Sequence, residues 1–399
     1  MRILFVVQRY GEQIAGGSEQ CCRLFAENLA AIGHHVEVAT SCAVNYTDWS
    51  NELPAGEEKL NGVLIHRFPV KQPRQAKRFS RVDSSVVWGK HPVPLASQQL
   101  WVNEMGPRTP ELIHWLISRS NDVDIVIFFT YLYYPTIRGL DAVSGLVPTL
   151  FHPTAHEEPH ITVPIFDKIF RLPDGYGFLT TEEAQLVNTR FGHRPVEEII
   201  GIGIDTSKKG YGKRFREKYR LRDQPFLLYL GRIDPGKGSL EAYEYFTTYK
   251  KRNKTNLKFV IVGDEVLDLP KHPDVIKTGF VSEEEKYDAI DACTIFLQPS
   301  YYESFSMALS EAWAYSKPAL VQGRCKVLVG QTKRANGGLH YNGFAEFEAA
   351  LDYLLEDSEL REKLGSNGRS FVQDSYQWSN LIPRYENLIK RTINAFSLR

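Results

Sequence analysis

The amino-acid sequence predicts an α/β protein of two domains, each built around a parallel sheet. Two observations carry this. A strand–glycine turn–helix–strand unit opens each half of the chain, with matching spacing: Leu4 and Val36 are 32 residues apart, Leu228 and Phe259 31. The chain has 399 residues, and at about 100–200 residues per domain two domains are expected.

In the first unit the apolar run Ile3–Val7 reads as a buried strand. A loop ending Ala15-Gly16-Gly17-Ser18 follows. Next comes a helix-like stretch with apolar residues at Cys21, Leu24, Phe25, Leu29 and Ile32, with Ser18 as N-cap and Gly33 as its stop. Val36–Thr40 is the second strand. In the second unit, strand Phe226–Leu230 runs into Gly231-Arg232-Ile233-Asp234-Pro235-Gly236-Lys237-Gly238. A helix from Ser239 carries Leu240, Tyr243 and Phe246, and strand Phe259–Val262 follows. Right-handed βαβ crossovers make both halves Rossmann-like, with ligands expected outside the carboxyl ends of the strands.

Further strands are expected at Ile125–Phe129, Thr149–Phe151 and Gly177–Leu179, then at Val275–Lys277, Ile295–Pro299 and Ala319–Val321. The stretch from Pro69 to Pro110 reads as irregular and contains the basic run Lys71, Arg74, Lys77, Arg78 and Arg81. Lys208–Arg222 reads as a charged, solvated segment. A helix is expected between Glu303 and Tyr315, and another after Tyr376-Gln-Trp378 through Leu381, Tyr385, Leu388, Ile389 and Ile393. The expected division is 1–200, 201–378 and a C-terminal helix 379–399 packing back on the first domain.

Composition narrows the function. Hydrophobic residues at 43% and charged residues at 24% exclude a largely disordered chain. With 48 basic and 48 acidic residues, the zero net charge argues against a general nucleic-acid binder. Five cysteines show no zinc-ligand spacing and read as thiols of a reducing compartment. The longest apolar run, Ile125–Ile137, is about 13 residues against the ~20 needed to span a bilayer. A cytoplasmic protein is expected. The basic run leaves open a phosphate-bearing acceptor, a peripheral contact at the inner membrane face, or a solvated loop.

Two motifs carry chemistry. Glu303 and Glu311 are separated by seven residues. If both lie on one helix, eight steps place them ~12 Å apart along its axis. That is too far for the carboxylate pair of a glycosidase, which sits about 5–9.5 Å apart. It suits the two ends of an elongated ligand, with the amides of the helix start favouring an anion between them. Two surface glutamates are the plain alternative. The second motif is Gly231-Arg232 with Lys237-Gly238, between a strand and a helix. Two cations at a glycine turn suit a diphosphate, neutralising charge as it develops. The spacing is not that of a Walker P-loop. Asp122-Val-Asp124 precedes its strand rather than following it, so it reads as a polar loop and not as a metal motif.

With these motifs in order, the sequence resembles the retaining GT-B glycosyltransferases, specifically the family 4 type (glycosyl transferases group 1). Gly16-Gly17, Gly201-Ile-Gly-Ile-Asp205, Gly231-Arg232 with Lys237-Gly238, Glu303 with Glu311, and the Tyr376–Trp378 tail match the group's motifs across nearly the whole chain. The resemblance implies two Rossmann-like domains facing across a cleft, with a C-terminal helix crossing back to the first. It implies retaining, metal-independent transfer of a sugar from a nucleotide-diphosphate sugar to a glycan, lipid-linked or other hydroxyl acceptor. No cofactor beyond that co-substrate is implied.

By the same resemblance, Arg232 and Lys237 bind the donor diphosphate, Glu311 the ribose hydroxyls and Glu303 the sugar. The N–H groups of Ser304, Phe305 and Ser306 reach the sugar or diphosphate; the family usually has glycines at 304 and 306. His156 lies near the transferred sugar, followed by an acid, here Glu157, with His152 as a rival in the same loop. Gly16 and Gly17 bring backbone close to the diphosphate or acceptor. An epimerase on a similar scaffold and a catalytically silent nucleotide-sugar-binding partner are the competing readings. Oligomeric state stays open.

Overall fold

The computed structural model describes residues 1–14, 16–89 and 92–398. The chain divides into two compact units: Met1–Gly201 with Leu381–Arg399, and Ile202–Asn380. The first holds strands β1 (Arg2–Val6), β2 (His35–Ser41), β3 (Gly56–Leu60), β4 (Val63–Phe68), β5 (Ile125–Phe129), β6 (Thr149–His152), β7 (Gly175–Phe178) and β8 (Glu197–Ile199). The second holds β9 (Phe226–Leu230), β10 (Lys258–Val262), β11 (Val275–Gly279), β12 (Ile295–Gln298), β13 (Ala319–Gln322) and β14 (Gly338–Tyr341).

The first sheet has the order β3-β4-β2-β1-β5-β6-β7-β8 and is parallel except for the β3–β4 hairpin. The second, β11-β10-β9-β12-β13-β14, is parallel throughout. Parallel strands covered on both faces read as continuous apolar runs, and β5 (IVIFF) and β9 (FLLYL) are buried along their whole length. Each sheet has a topological switch point. In the first, the chain leaves β1 towards β2 on one side, and β5 enters on the other. In the second, β9 and β12 flank the reversal. Ligands in such sheets sit at the carboxyl ends of those two strands.

Several local expectations are corrected. The 69–110 stretch is not irregular: it contains helices Ala76–Val87 and Leu95–Met105, which bury Val86, Val87, Trp101, Val102 and Met105. Lys208–Arg222 is not merely solvated. Its helix Gly212–Lys218 buries Phe215, and Arg214 pairs with the buried Asp288 of helix Glu283–Ala292. The first helix, Gly17–Ala31, has Gly16 rather than Ser18 at its N-cap; the Ser18 hydroxyl instead donates to Glu19 Oε2 at 2.8 Å. Ile32 and Leu240 point to solvent rather than into the core.

The last helix, Trp378–Ser397, packs on the first unit through Leu381, Tyr385, Leu388 and Ile389. The Tyr385 ring lies 4.4 Å from that of Phe25, and Arg384 and Arg391 both reach Glu198. Asp122 and Asp124 sit at the amino end of β5, where Asp124 accepts from Arg2 N at 2.7 Å. All five cysteines are buried thiols. No helix among the described residues is long and apolar enough to cross a membrane.

Candidate functional site

In the second unit the turn after β9 is set by its own residues. Asp234 caps the short helical turn Pro235–Lys237, its Oδ1 accepting from Lys237 N at 3.0 Å. The Ser239 hydroxyl donates to Asp234 O at 3.1 Å. Gly238 then takes φ +64°, and a Cβ there would lie 2.0 Å from the carbonyl oxygen of Pro299, just past β12. Only glycine lets the turn lie against the end of the neighbouring strand.

That close approach joins the two motifs. Lys237 Nζ is 2.8 Å from Glu303 Oε1, and Gln298 Nε2 donates to the same oxygen at 3.1 Å. Arg232 stands on the same turn, with Nη2 3.5 Å from Asp234 Oδ2. The Tyr229 hydroxyl donates to Arg232 O at 2.7 Å and braces the turn from beneath. Glu303 is nearly buried, its side chain 12% exposed, while Lys237 at 30% and Arg232 at 40% stay accessible. A carboxylate held from below and two reachable cations thus meet at the switch point.

The Glu303–Glu311 spacing has a different geometry from the one expected. The helix begins at Met307, not at 304 or 305, because Ser306 adopts a left-handed conformation (φ 73°, ψ 83°). Glu303 therefore lies in the loop, and the eight-step helical separation does not apply. Left-handed backbone favours glycine, so a serine here is strained. Phe305 is buried: its ring meets Tyr376 edge-on at 4.9 Å, and its carbonyl accepts from Gln331 Nε2. Tyr376 also accepts Ile204 N at 2.8 Å through its carbonyl, tying the Gly201–Asp205 segment to the tail. Glu311 lies on the helix, nearly buried, with Oε1 2.6 Å from Lys286 Nζ. Lys286 was not foreseen. It stands in a charged helix, Glu283–Ala292, and only folding brings it to Glu311.

In the first unit Gly16 and Gly17 follow β1 at the switch point. A Cβ on Gly16 would lie 2.3 Å from Glu19 Oε2, whereas Gly17 has open space around it. Arg9 and Glu19 form a buried pair across this loop, Nε donating to Oε1 at 2.9 Å, and Arg9 Nη1 donates to Val44 O. His156 lies in the loop after β6. The preceding Ala155 is pinned by Glu183, which accepts from Ala155 N at 2.7 Å and Leu179 N at 2.6 Å. Burial raises Glu183 to about 8 despite those amides.

Glu158 Oε1 lies 3.5 Å from His156 Nδ1, and Glu157 is exposed. His152 is no rival. It ends β6 inside the core, stacked on Phe129 at 4.4 Å with Nε2 2.8 Å from the Tyr385 hydroxyl. Burial lowers its pKa to about 3. Among the described residues no group of three or more His, Cys, Asp or Glu is arranged to hold a metal ion. Of the basic run, Arg78 pairs with Glu104 at 2.8 Å and Arg74 lies over Phe79 and Trp49.

The chain is similar to known proteins in the sequence of its second unit and in its fold. Residues 213–371 match the family glycosyl transferases group 1. Alpha-D-kanosaminyltransferase of Streptomyces kanamyceticus is 29% identical over 226 residues, an alignment that spans only about half of each protein: 50% of this chain and 56% of the relative. Sucrose-phosphate synthase from Thermosynechococcus elongatus superposes with TM-score 0.73 at 17% identity, covering 99% of this chain and 100% of that one. HepE of Anabaena, solved in complex with UDP, gives TM-score 0.71 at 13% identity, covering 98% and 100%. The second unit therefore carries a match to glycosyl transferases group 1, and the whole chain shares the fold of sucrose-phosphate synthase and HepE.

Proposed function

We propose that the chain transfers a sugar from a nucleotide-diphosphate sugar to a hydroxyl-bearing acceptor, with retention of anomeric configuration and without a metal ion. The observation that carries the reading is the 2.8 Å contact of Lys237 with Glu303 at the β9–β12 switch point. It brings the cationic turn and the sugar-contacting carboxylate into one place, as a donor site requires. That HepE was solved with UDP supports a uridine nucleotide among the donors to be tried first.

In this reading Arg232 and Lys237 neutralise the diphosphate as the bond between the anomeric carbon and the diphosphate oxygen breaks. Glu303 holds the Lys237 ammonium in place before the donor arrives, so little reorganisation is needed at the moment of reaction. The amides of the Ser304–Ser306 loop and the start of the Met307–Ala314 helix meet the phosphate or the sugar. Glu311 accepts from the ribose hydroxyls. His156 contacts the transferred sugar, and Gly16 and Gly17 let backbone approach the diphosphate or the acceptor. The acceptor hydroxyl attacks the face from which the diphosphate departs, and the protein's work is positioning and leaving-group stabilisation.

A thermal-shift screen of UDP, GDP, ADP, CMP and TDP on wild type and Glu311→Ala tests the donor site. A nucleotide at about 100 times its Kd stabilises by ~2.7 kcal/mol. One nucleotide is expected to raise the wild-type midpoint and leave Glu311→Ala unmoved. No shift with any of the five rejects the donor site.

A further inference from the structure

The His156 loop carries a chain of alternating charges that runs from His156 away through Glu158, His160 and Asp83. Glu158 Oε1 is 3.5 Å from His156 Nδ1, and its Oε2 is 3.4 Å from His160 Nδ1. His160 Nε2 is 3.2 Å from Asp83 Oδ1, which also accepts from Trp101 Nε1 at 2.8 Å. The Tyr131 hydroxyl donates to Glu158 Oε1 at 2.5 Å. Asp83 belongs to helix Ala76–Val87 and Trp101 to helix Leu95–Met105, so both helices of the 69–110 stretch brace the loop.

We propose that Glu158 is a positioning residue for His156, held in place by His160 and Asp83, and that its charge, 3.5 Å from Nδ1, favours the protonated imidazole. The proposal rests on the reading that places His156 at the transferred sugar. A carboxylate a few ångströms from an imidazole favours the imidazolium. Glu158 in turn needs a cation behind it to stay ionised, since it is almost enclosed. His160 is that cation. Burial opposes its charge, but Asp83 and Glu158 outweigh burial and raise it to about 9. Burial likewise raises Glu158, yet His156, His160 and the Tyr131 hydroxyl together hold it below its ordinary value. Among the described residues, Tyr133 from the segment after β5 also faces Glu158, and Arg74, before the Ala76–Val87 helix, also faces Asp83.

The test is a 13C-imidazole NMR titration of His156 in the intact chain, which needs no donor or acceptor. Glu158→Gln keeps the shape and removes the charge, so the His156 midpoint falls by about one pH unit or more. His160→Gln withdraws the cation that keeps Glu158 ionised, so the midpoint falls there too, by less than in Glu158→Gln. Glu158→Asp keeps the charge and holds the midpoint close to wild type, which also serves should Glu158→Gln fail to fold. Loop loosening alone would move the Asp variant as far as the glutamine variants. An unchanged midpoint in Glu158→Gln, a midpoint that rises in His160→Gln, or an Asp variant that behaves like Gln each overturns the relay. Failure of the parent reading shows separately, as near-normal turnover in His156→Ala.

Discussion

Replacing Lys237 by alanine separates catalysis from stability at the donor turn. Lys237 Nζ and Glu303 Oε1 are 2.8 Å apart. At an effective dielectric of about 20 the gross attraction is ~6 kcal/mol. Most of that is offset by desolvation of a carboxylate 12% exposed and by water around an ammonium 30% exposed, leaving a net of about 1–2 kcal/mol. Lys237→Ala therefore lowers unfolding stability by about that amount, leaving Glu303 with the Gln298 amide on its Oε1. Glu303→Gln in the same background removes the stranded charge and recovers about half the loss or more. Turnover behaves differently. Losing one preorganised group at the leaving group costs about 10²–10³ in kcat. The double variant regains none of it, because the diphosphate still lacks its cation. Urea unfolding and nucleoside-diphosphate release in the presence of acceptor read the two quantities. Turnover within threefold of wild type in Lys237→Ala would refute the leaving-group role. Recovery of turnover in the double variant would reduce Lys237 to a partner of Glu303.

Two further outcomes follow from backbone and core. Gly238→Ala forces a Cβ into the left-handed region, at about 1–2 kcal/mol, and against the Pro299 carbonyl at 2.0 Å. A loss of at least about 2 kcal/mol by urea unfolding is expected, together with weakened nucleotide binding as the turn moves off β12; wild-type stability would contradict the close approach. His152 sets a pH dependence. Its folded pKa, about 3, lies below the unfolded value near 6.5, so the unfolded chain takes up its proton first. Its contribution is present above pH 6.5 and is lost as pH falls from there to about 3, at no more than ~1.4 kcal/mol per pH unit. His152→Gln, which can keep a partner for the Tyr385 hydroxyl, should flatten the stability profile between pH 6.5 and 4; an unchanged slope would contradict the burial argument.

Much of the fold was legible because parallel, doubly covered strands are written as apolar runs. Ile125–Phe129 and Phe226–Leu230 begin and end where the sequence places them. The edge hairpin was not seen, although its signal is present: Asn61 (φ 49°) and Gly62 (φ 84°) form the Asn-Gly turn between β3 and β4. The charged β3, Glu57-Glu58-Lys59, hid it, since an edge strand facing water carries no apolar run. The helices of 69–110 were missed for a related reason. Proline, serine and basic residues dominate that stretch, and the few residues that bury it, such as Trp101 and Met105, do so against partners distant in sequence.

At the site, the residue types at the strand ends are readable without any structure: two cations after β9, a glutamate after β12, a histidine after β6. Tertiary structure alone decided their pairing. Lys286 meets Glu311 across 25 residues, and Lys237 meets Glu303 across 66. Glu158 comes within 3.5 Å of His156, and His152 disappears into the core behind the last helix. Strand identity is local, because a run of apolar side chains has one low-energy place to go. A polar contact depends on the direction of one side chain and the position of another, and both are set by backbone turns such as Gly238 and Ser306 and by packing between elements far apart in the chain.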